Sequence, residues 1–148
     1  MTKIKLYTDL PQSKKLVEIL PIESSDIWWA ERYEGRVSEA GQYIVAKEPY
    51  YYLSFTKPSD TNCSQDTIKD IPAWSLSSLL ALMPFHIIEN NQRYAFSMHK
   101  GSNRNGETYI FRYNIFNTDI CLYSTNYYNN PIDAAFEMVV WLKENKKI

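Results

Sequence analysis

Asp133 and Glu137 stand four residues apart in the C-terminal stretch NNPIDAAFEMVVWLKENKKI, residues 129–148. That spacing sets two carboxylates on one face of a helix, where they could share acid–base work or hold a metal. The same residues also suit a helix start: Asn130 as N-cap, Pro131 at N1 and Asp133 at N3, where the macrodipole favours a carboxylate. On a helical wheel Ile132, Ala135, Phe136, Met138, Val139, Val140 and Leu142 fill an apolar arc of roughly 200°, wider than a surface helix needs. The segment therefore reads as a core helix. Asp133, Glu137 and Glu144 share its narrow polar stripe as a capping carboxylate and solvated neighbours, with Trp141 beside them.

The other chemical candidates resolve in the same direction. GSNRNGET, residues 101–108, has the glycine spacing of a phosphate-binding loop, but Glu107 stands where the lysine belongs, and a carboxylate repels the phosphates that lysine would reach. A hairpin loop is expected there, with Gly101 and Gly106 supplying positive φ. His86 and His99 are the only histidines, and their spacing matches no ligand pattern. His86 is expected to face outward and His99 to end a strand. Ser75, Ser77 and Ser78 lack a nucleophile elbow, and Ser75 has a role as a helix cap. Cys63, in a polar loop, is the better placed thiol, because Cys121 falls in a strand where a small buried cysteine is expected. No catalytic residue, metal site or cofactor is assigned.

Twelve tyrosines give the remaining signal. Tyr50, Tyr52, Tyr109 and Tyr113 with Arg93 and Arg112 form a set that could stack a base and hold a phosphate, or could be cross-strand pairs in an ordinary sheet. Trp28 and Trp141 join them as ligand or interface candidates. The formal charge of −1 supplies no general attraction for nucleic acid or an anionic membrane.

The elements that must position these residues follow from periodicity. At 148 residues, 45% of them hydrophobic, the chain is the size of one domain with its own core. Cys63 and Cys121 form no metal or disulfide pattern, and neither a signal sequence nor an apolar membrane span is visible, so a cytoplasmic protein is expected. MTKIKLY alternates as a short strand, and Pro11 and Pro21 bracket a helix over about residues 11–20. IWWAERY, GQYIVAK and YYYLSF read as three antiparallel strands, and residues 56–70 as a polar loop. In IPAWSLSSLLALMP, Ser75 caps a helix over about 76–83, with Trp74 and Leu79 at the staple positions and Pro84 as the stop. A four-stranded meander spans the stretch from Phe85 to Ser124, with turns at Asn90-Asn91 and Asn117-Thr118-Asp119.

IPAWSLSSLLALMP, the strand-rich stretch after it and NNPIDAAFEMVVWLKENKKI together resemble a group of short uncharacterised proteins encoded in prophages and conjugative elements of gut Bacteroidota. The resemblance covers residues 71–148. It implies a mobile-element origin and an α+β fold and brings no activity or site residues.

The expected architecture is thus a single α+β domain, an antiparallel Tyr-rich sheet with two or three helices packed on one face. The function expected is non-enzymatic: a protein-interaction or accessory factor acting through a protein partner or as a homodimer, with no membrane or nucleic-acid partner. The alternative is a small-ligand or nucleotide-binding module.

Overall fold

A computed structural model describes residues 5–55 and 70–148; the strand expected over 1–7 in part, the loop 56–69 and Cys63 lie outside them. The chain is an α+β protein whose elements run α1 (Leu10–Ile19), β1 (Ile27–Arg32), β2 (Gly35–Val37), β3 (Tyr43–Val45), β4 (Tyr50–Ser54), β5 (Asp70–Ala73), α2 (Leu76–Ala81), β6 (His86–Glu89), β7 (Gln92–Asn103), β8 (Gly106–Asn114), β9 (Cys121–Ser124) and α3 (Pro131–Glu144).

Each helix is set by local chemistry. Asp9 caps α1: its carboxylate accepts from Gln12 N, and the Gln12 side chain returns a bond to Asp9 N, a capping box that settles two orphan donors. Ser75 caps α2 by accepting from Ser78 N. Asp26, brought in from just before β1, accepts from Ser75 N, the Ser75 hydroxyl and the Ser78 hydroxyl. In α3 the Asn130 side chain accepts from Ile132 N. At its other end Lys147 N bonds Leu142 O and Lys146 N bonds Lys143 O, with Lys146 at φ 55. That is a Schellman closure in which a lysine holds the left-handed position usually given to glycine.

The strands fall into three antiparallel groups: β4-β1-β5, the two-stranded β2-β3, and β6-β7-β8-β9. The meander expected from the sequence is the last of these, and its β6–β7 turn uses Asn90 and Asn91 at φ 50 and 61, as a two-residue type I′ connection requires. The first half departs from expectation. YYYLSF pairs with IWWAER, residue Trp29 facing Leu53 and Arg32 facing Tyr50, whereas the YIV of GQYIVAK pairs with Gly35–Val37. The third member of the first sheet is β5, with Ile27 opposite Ala73, a strand hidden in the run-up to α2. MTKIKLY forms no strand among its described residues; Tyr7 makes one bridge to Ser75.

The core lies between α1, α2, α3 and one face of the meander. Leu16, Trp74, Leu79, Phe111, Tyr113, Ile132, Met138, Val139 and Leu142 are fully buried, each large apolar side chain contributing about 1.5–3 kcal/mol. Trp74 and Leu79, the two staple positions, are both in this cluster.

Candidate functional site

The meander has two faces with different chemistry, and strand register assigns every side chain to one of them. Tyr94, Phe96, Phe111, Tyr113 and Tyr123 take the helix side. Tyr113 is fully buried, and its hydroxyl donates to Pro84 O at 2.7 Å; burial pushes its pKa far above that of a free phenol. Tyr109, on the same side, donates to Glu107. The opposite face carries His86, Arg93, Ser97, His99 and Arg112, with Ser97 directly across from Arg112 and His86 across from Ala95. Arg93 and Arg112 therefore share a face, and Tyr109 and Tyr113 are on the other one. The single stacking platform suggested by the sequence is split by the pleat.

On that opposite face Ala95, Ser97, His99 and Asn114, with the β8–β9 turn from Phe116 to Asp119, line an open hollow of about 470 Å³. Its hydrogen bonds have a defined direction. Asn114 Nδ2 donates to Ile115 O and Thr118 O, so Asn114 Oδ1 accepts the Ser97 hydroxyl at 2.8 Å. His99 Nε2 lies 3.1 Å from the same hydroxyl oxygen. With the Ser97 proton committed to Asn114, His99 must donate from Nε2. Ser97 and His99 are close, yet the imidazole lone pair is not on the hydroxyl proton, and no base activates the serine. His99 sits inside β7, which runs on to Asn103, instead of ending a strand.

Arg112 is the unusual member of this face. Its Nε is buried and has no hydrogen-bond partner, and a buried guanidinium donor left unmet costs free energy. At the other end of the sheet Arg93 Nη2 donates to His86 Nδ1 at 3.2 Å.

The carboxylate pair is separated by its partners. Asp133 accepts from Lys5 Nζ at 2.7 Å and from Gln12 Nε2 at 2.8 Å, tying the segment before α1 to α3, and Lys5 also reaches Asp9. Burial pulls the Lys5 ammonium down, but the bonds and charges of Asp133 and Asp9 outweigh it and hold it above its usual range. Glu137 is no solvated stripe residue. It accepts from the Tyr123 hydroxyl at 2.6 Å, the Tyr128 hydroxyl at 2.5 Å and Asn126 N at 3.2 Å. Burial alone would raise its pKa; those donors outweigh burial and lower it. Trp141, one turn along, stacks on Tyr123 with centroids 4.3 Å apart. The cluster fastens the Asn126–Tyr128 segment to α3 and is structural.

GSNRNGET is a hairpin end, as expected: β7 and β8 close with Asn103 opposite Gly106, and Glu107 pairs with Lys100. Gly106 has φ 114, but Gly101 has no positive φ and lies in the ladder facing Thr108. Cys121 is free and exposed in β9 instead of buried. Among the described residues no group of three or more His, Cys, Asp or Glu side chains is placed to hold a metal, and no helix is long and apolar enough to cross a membrane.

The first half holds the remaining candidates. Trp28 and Trp29, half-buried in β1, point to opposite faces, and Trp29 Nε1 donates to Thr8 O. Tyr50 and Tyr52 are exposed on β4, an edge strand among the described residues, with rings 6.4 Å apart. The β2–β3 hairpin prolongs the β1–β4 pair, and all six of its strand residues are exposed. Val37, Tyr43 and Val45 share one face with Gly35, and Ile44 takes the other. Sequence reasoning expected a strand at GQYIVAK but not its exposure, because the unbroken apolar run Tyr43-Ile44-Val45 reads as a strand buried in a core.

Comparison with known protein families, with curated proteins and with solved structures finds no match to this chain.

Proposed function

We propose that the protein is a non-enzymatic interaction module whose docking element is the β2–β3 arm together with β4. One observation supports this reading above the others: Val37, Tyr43 and Val45 are exposed together on one face of the arm, and Tyr50 and Tyr52 are exposed on β4, which follows it. A two-stranded ribbon is marginal in water on its own, and contiguous exposed apolar area of this kind marks contact surfaces. The β4 edge adds a second element. Tyr50–Ser54 carries no charge and no proline, the devices that usually protect an edge strand from pairing.

The partner in this reading is a protein that lays an extended segment along β4 and packs on the arm, with a second copy of the chain as the simplest source. The module acts in the cytoplasm as an accessory factor of a mobile element, a role that rests on the resemblance of residues 71–148. Sedimentation across a concentration series tests it, with a Val37→Asp variant as control, on the face shared with Tyr43 and Val45. Self-association that the substitution abolishes supports the second copy. Strictly monomeric behaviour transfers the test to a different protein partner.

A further inference from the structure

The tip of the β7–β8 hairpin plays no part in the docking reading and has chemistry of its own. Asn103 pairs with Gly106, so Arg104 and Asn105 form the turn between them, and both are exposed. Asn105-Gly106 is the one asparagine-glycine step in the chain. The step matters because the amide nitrogen of a following residue can attack an asparagine carboxamide, and a β-carbon on that residue obstructs the approach. Glycine has none.

Two further observations single out this asparagine. Its carboxamide has no hydrogen-bond partner among the described residues; only its backbone N–H is engaged, donating to Asn103 Oδ1 at 2.8 Å. The side chain is free to turn onto Gly106 N. By contrast the carboxamides of Asn114, Asn126, Asn130 and Asn145 are each held, the first by two carbonyls and the others by Glu137, Ile132 N and Trp141 O. Every asparagine but Asn105 also precedes a residue with a side chain. The space around Gly106 is open as well, since a Cβ there would meet nothing within 4 Å. Water therefore reaches the site.

We propose that Asn105 is a self-modifying site that loses ammonia through a cyclic imide and becomes a carboxylate. Gly106 N gives its proton to solvent and forms a bond to Asn105 Cγ; the Cγ–Nδ2 bond breaks, and Nδ2 takes a proton from solvent and leaves as ammonia. Water then opens the imide at one of its two carbonyl carbons. Attack at Cγ gives aspartate, and attack at the main-chain carbonyl carbon gives isoaspartate, whose backbone runs through Cβ and Cγ and is longer by one atom. Either product sets a new carboxylate beside Arg104 and close in sequence to Glu107, which pairs with Lys100. The longer backbone no longer fits a two-residue turn closed by Asn103 and Gly106. No residue from Gly101 to Glu107 belongs to the core, so the change is confined to the hairpin tip.

The test incubates the purified full chain for weeks in warm, mildly alkaline buffer and follows it by intact mass and by peptide fragmentation that separates the two isomers. The expected result is a mass gain of about 1 Da, the difference between ammonia lost and water gained, located first at Asn105 and containing isoaspartate as well as aspartate. Asn105→Gln, at an exposed turn position that leaves the fold intact, should abolish this early gain. An unchanged mass overturns the proposal. So does conversion that begins at another asparagine, aspartate with no isoaspartate, or an equal gain by the Asn105→Gln variant.

Discussion

The ring of Tyr43 lies across the β2–β3 arm directly over Gly35, occupying the space that a Cβ on Gly35 would need. The two residues are diagonal neighbours on one face of the ladder, Gly35 pairing with Val45 and Tyr43 with Val37. A missing side chain thus gives an exposed aromatic its seat, and the arm presents a shaped surface of Tyr43, Val37 and Val45.

Gly35→Val should displace Tyr43 without disturbing the core, since both positions are exposed. Thermal unfolding is expected to change by no more than about 0.5 kcal/mol, the usual effect of a surface substitution, while association through the arm is lost. Calorimetry and sedimentation of the same sample separate the two effects.

Glu137→Gln removes a charged acceptor from Tyr123, Tyr128 and Asn126. The loss should be about 1–2 kcal/mol after allowance for the partial exposure of the site, read by urea denaturation. Because the folded Glu137 has a lowered pKa, its contribution is present above the unfolded carboxyl value of about 4.3. It is lost as the pH falls through the lower, folded value. Wild type should therefore lose more stability than Glu137→Gln below about pH 4.3.

Trp141→Ala takes a half-buried ring off Tyr123 and should cost about 2–3 kcal/mol through lost area and stacking. Phe116→Ala, with its ring in solvent, should cost less than about 0.5 kcal/mol. Parallel denaturant titrations compare them.

Lys146→Gly should stabilise the protein. Lys146 closes α3 at φ 55, a conformation that costs a residue with a Cβ roughly 1–2 kcal/mol. Glycine removes that strain at an unfolded-state entropy cost of about 0.5–1 kcal/mol. The expected gain is about 0.5–1 kcal/mol, seen as a higher urea midpoint with an unchanged slope.

What could be read from the sequence was what local chemistry decides. Asn130 and Ser75 cap the helices expected of them, Pro84 follows α2, and Asn90-Asn91 turns between β6 and β7. The D-x-x-Q of Asp9 and Gln12 was equally local; only the preference for Ser or Thr with Glu hid it. Pairing was a different matter. β5 lies beside β1 through contacts some 40 residues apart, and nothing in Asp70–Ala73 itself announces a strand. Glu137 reads as solvated on a helical wheel because its partners, Tyr123 and Tyr128, arrive from another element. Arg93 and Arg112 could be placed on one face by parity, but the separation of that face from Tyr109 and Tyr113 needed the register.

Photo-crosslinking tests the interaction reading most directly. A photoreactive side chain at Tyr43, with a control at Lys14 on the exposed side of α1, is irradiated in purified protein and in cells. The account predicts a discrete adduct, a second copy or one other protein, from position 43 and not from position 14, and its disappearance when Gly35→Val is added. Equal yields at the two positions, or no adduct at position 43, would contradict it.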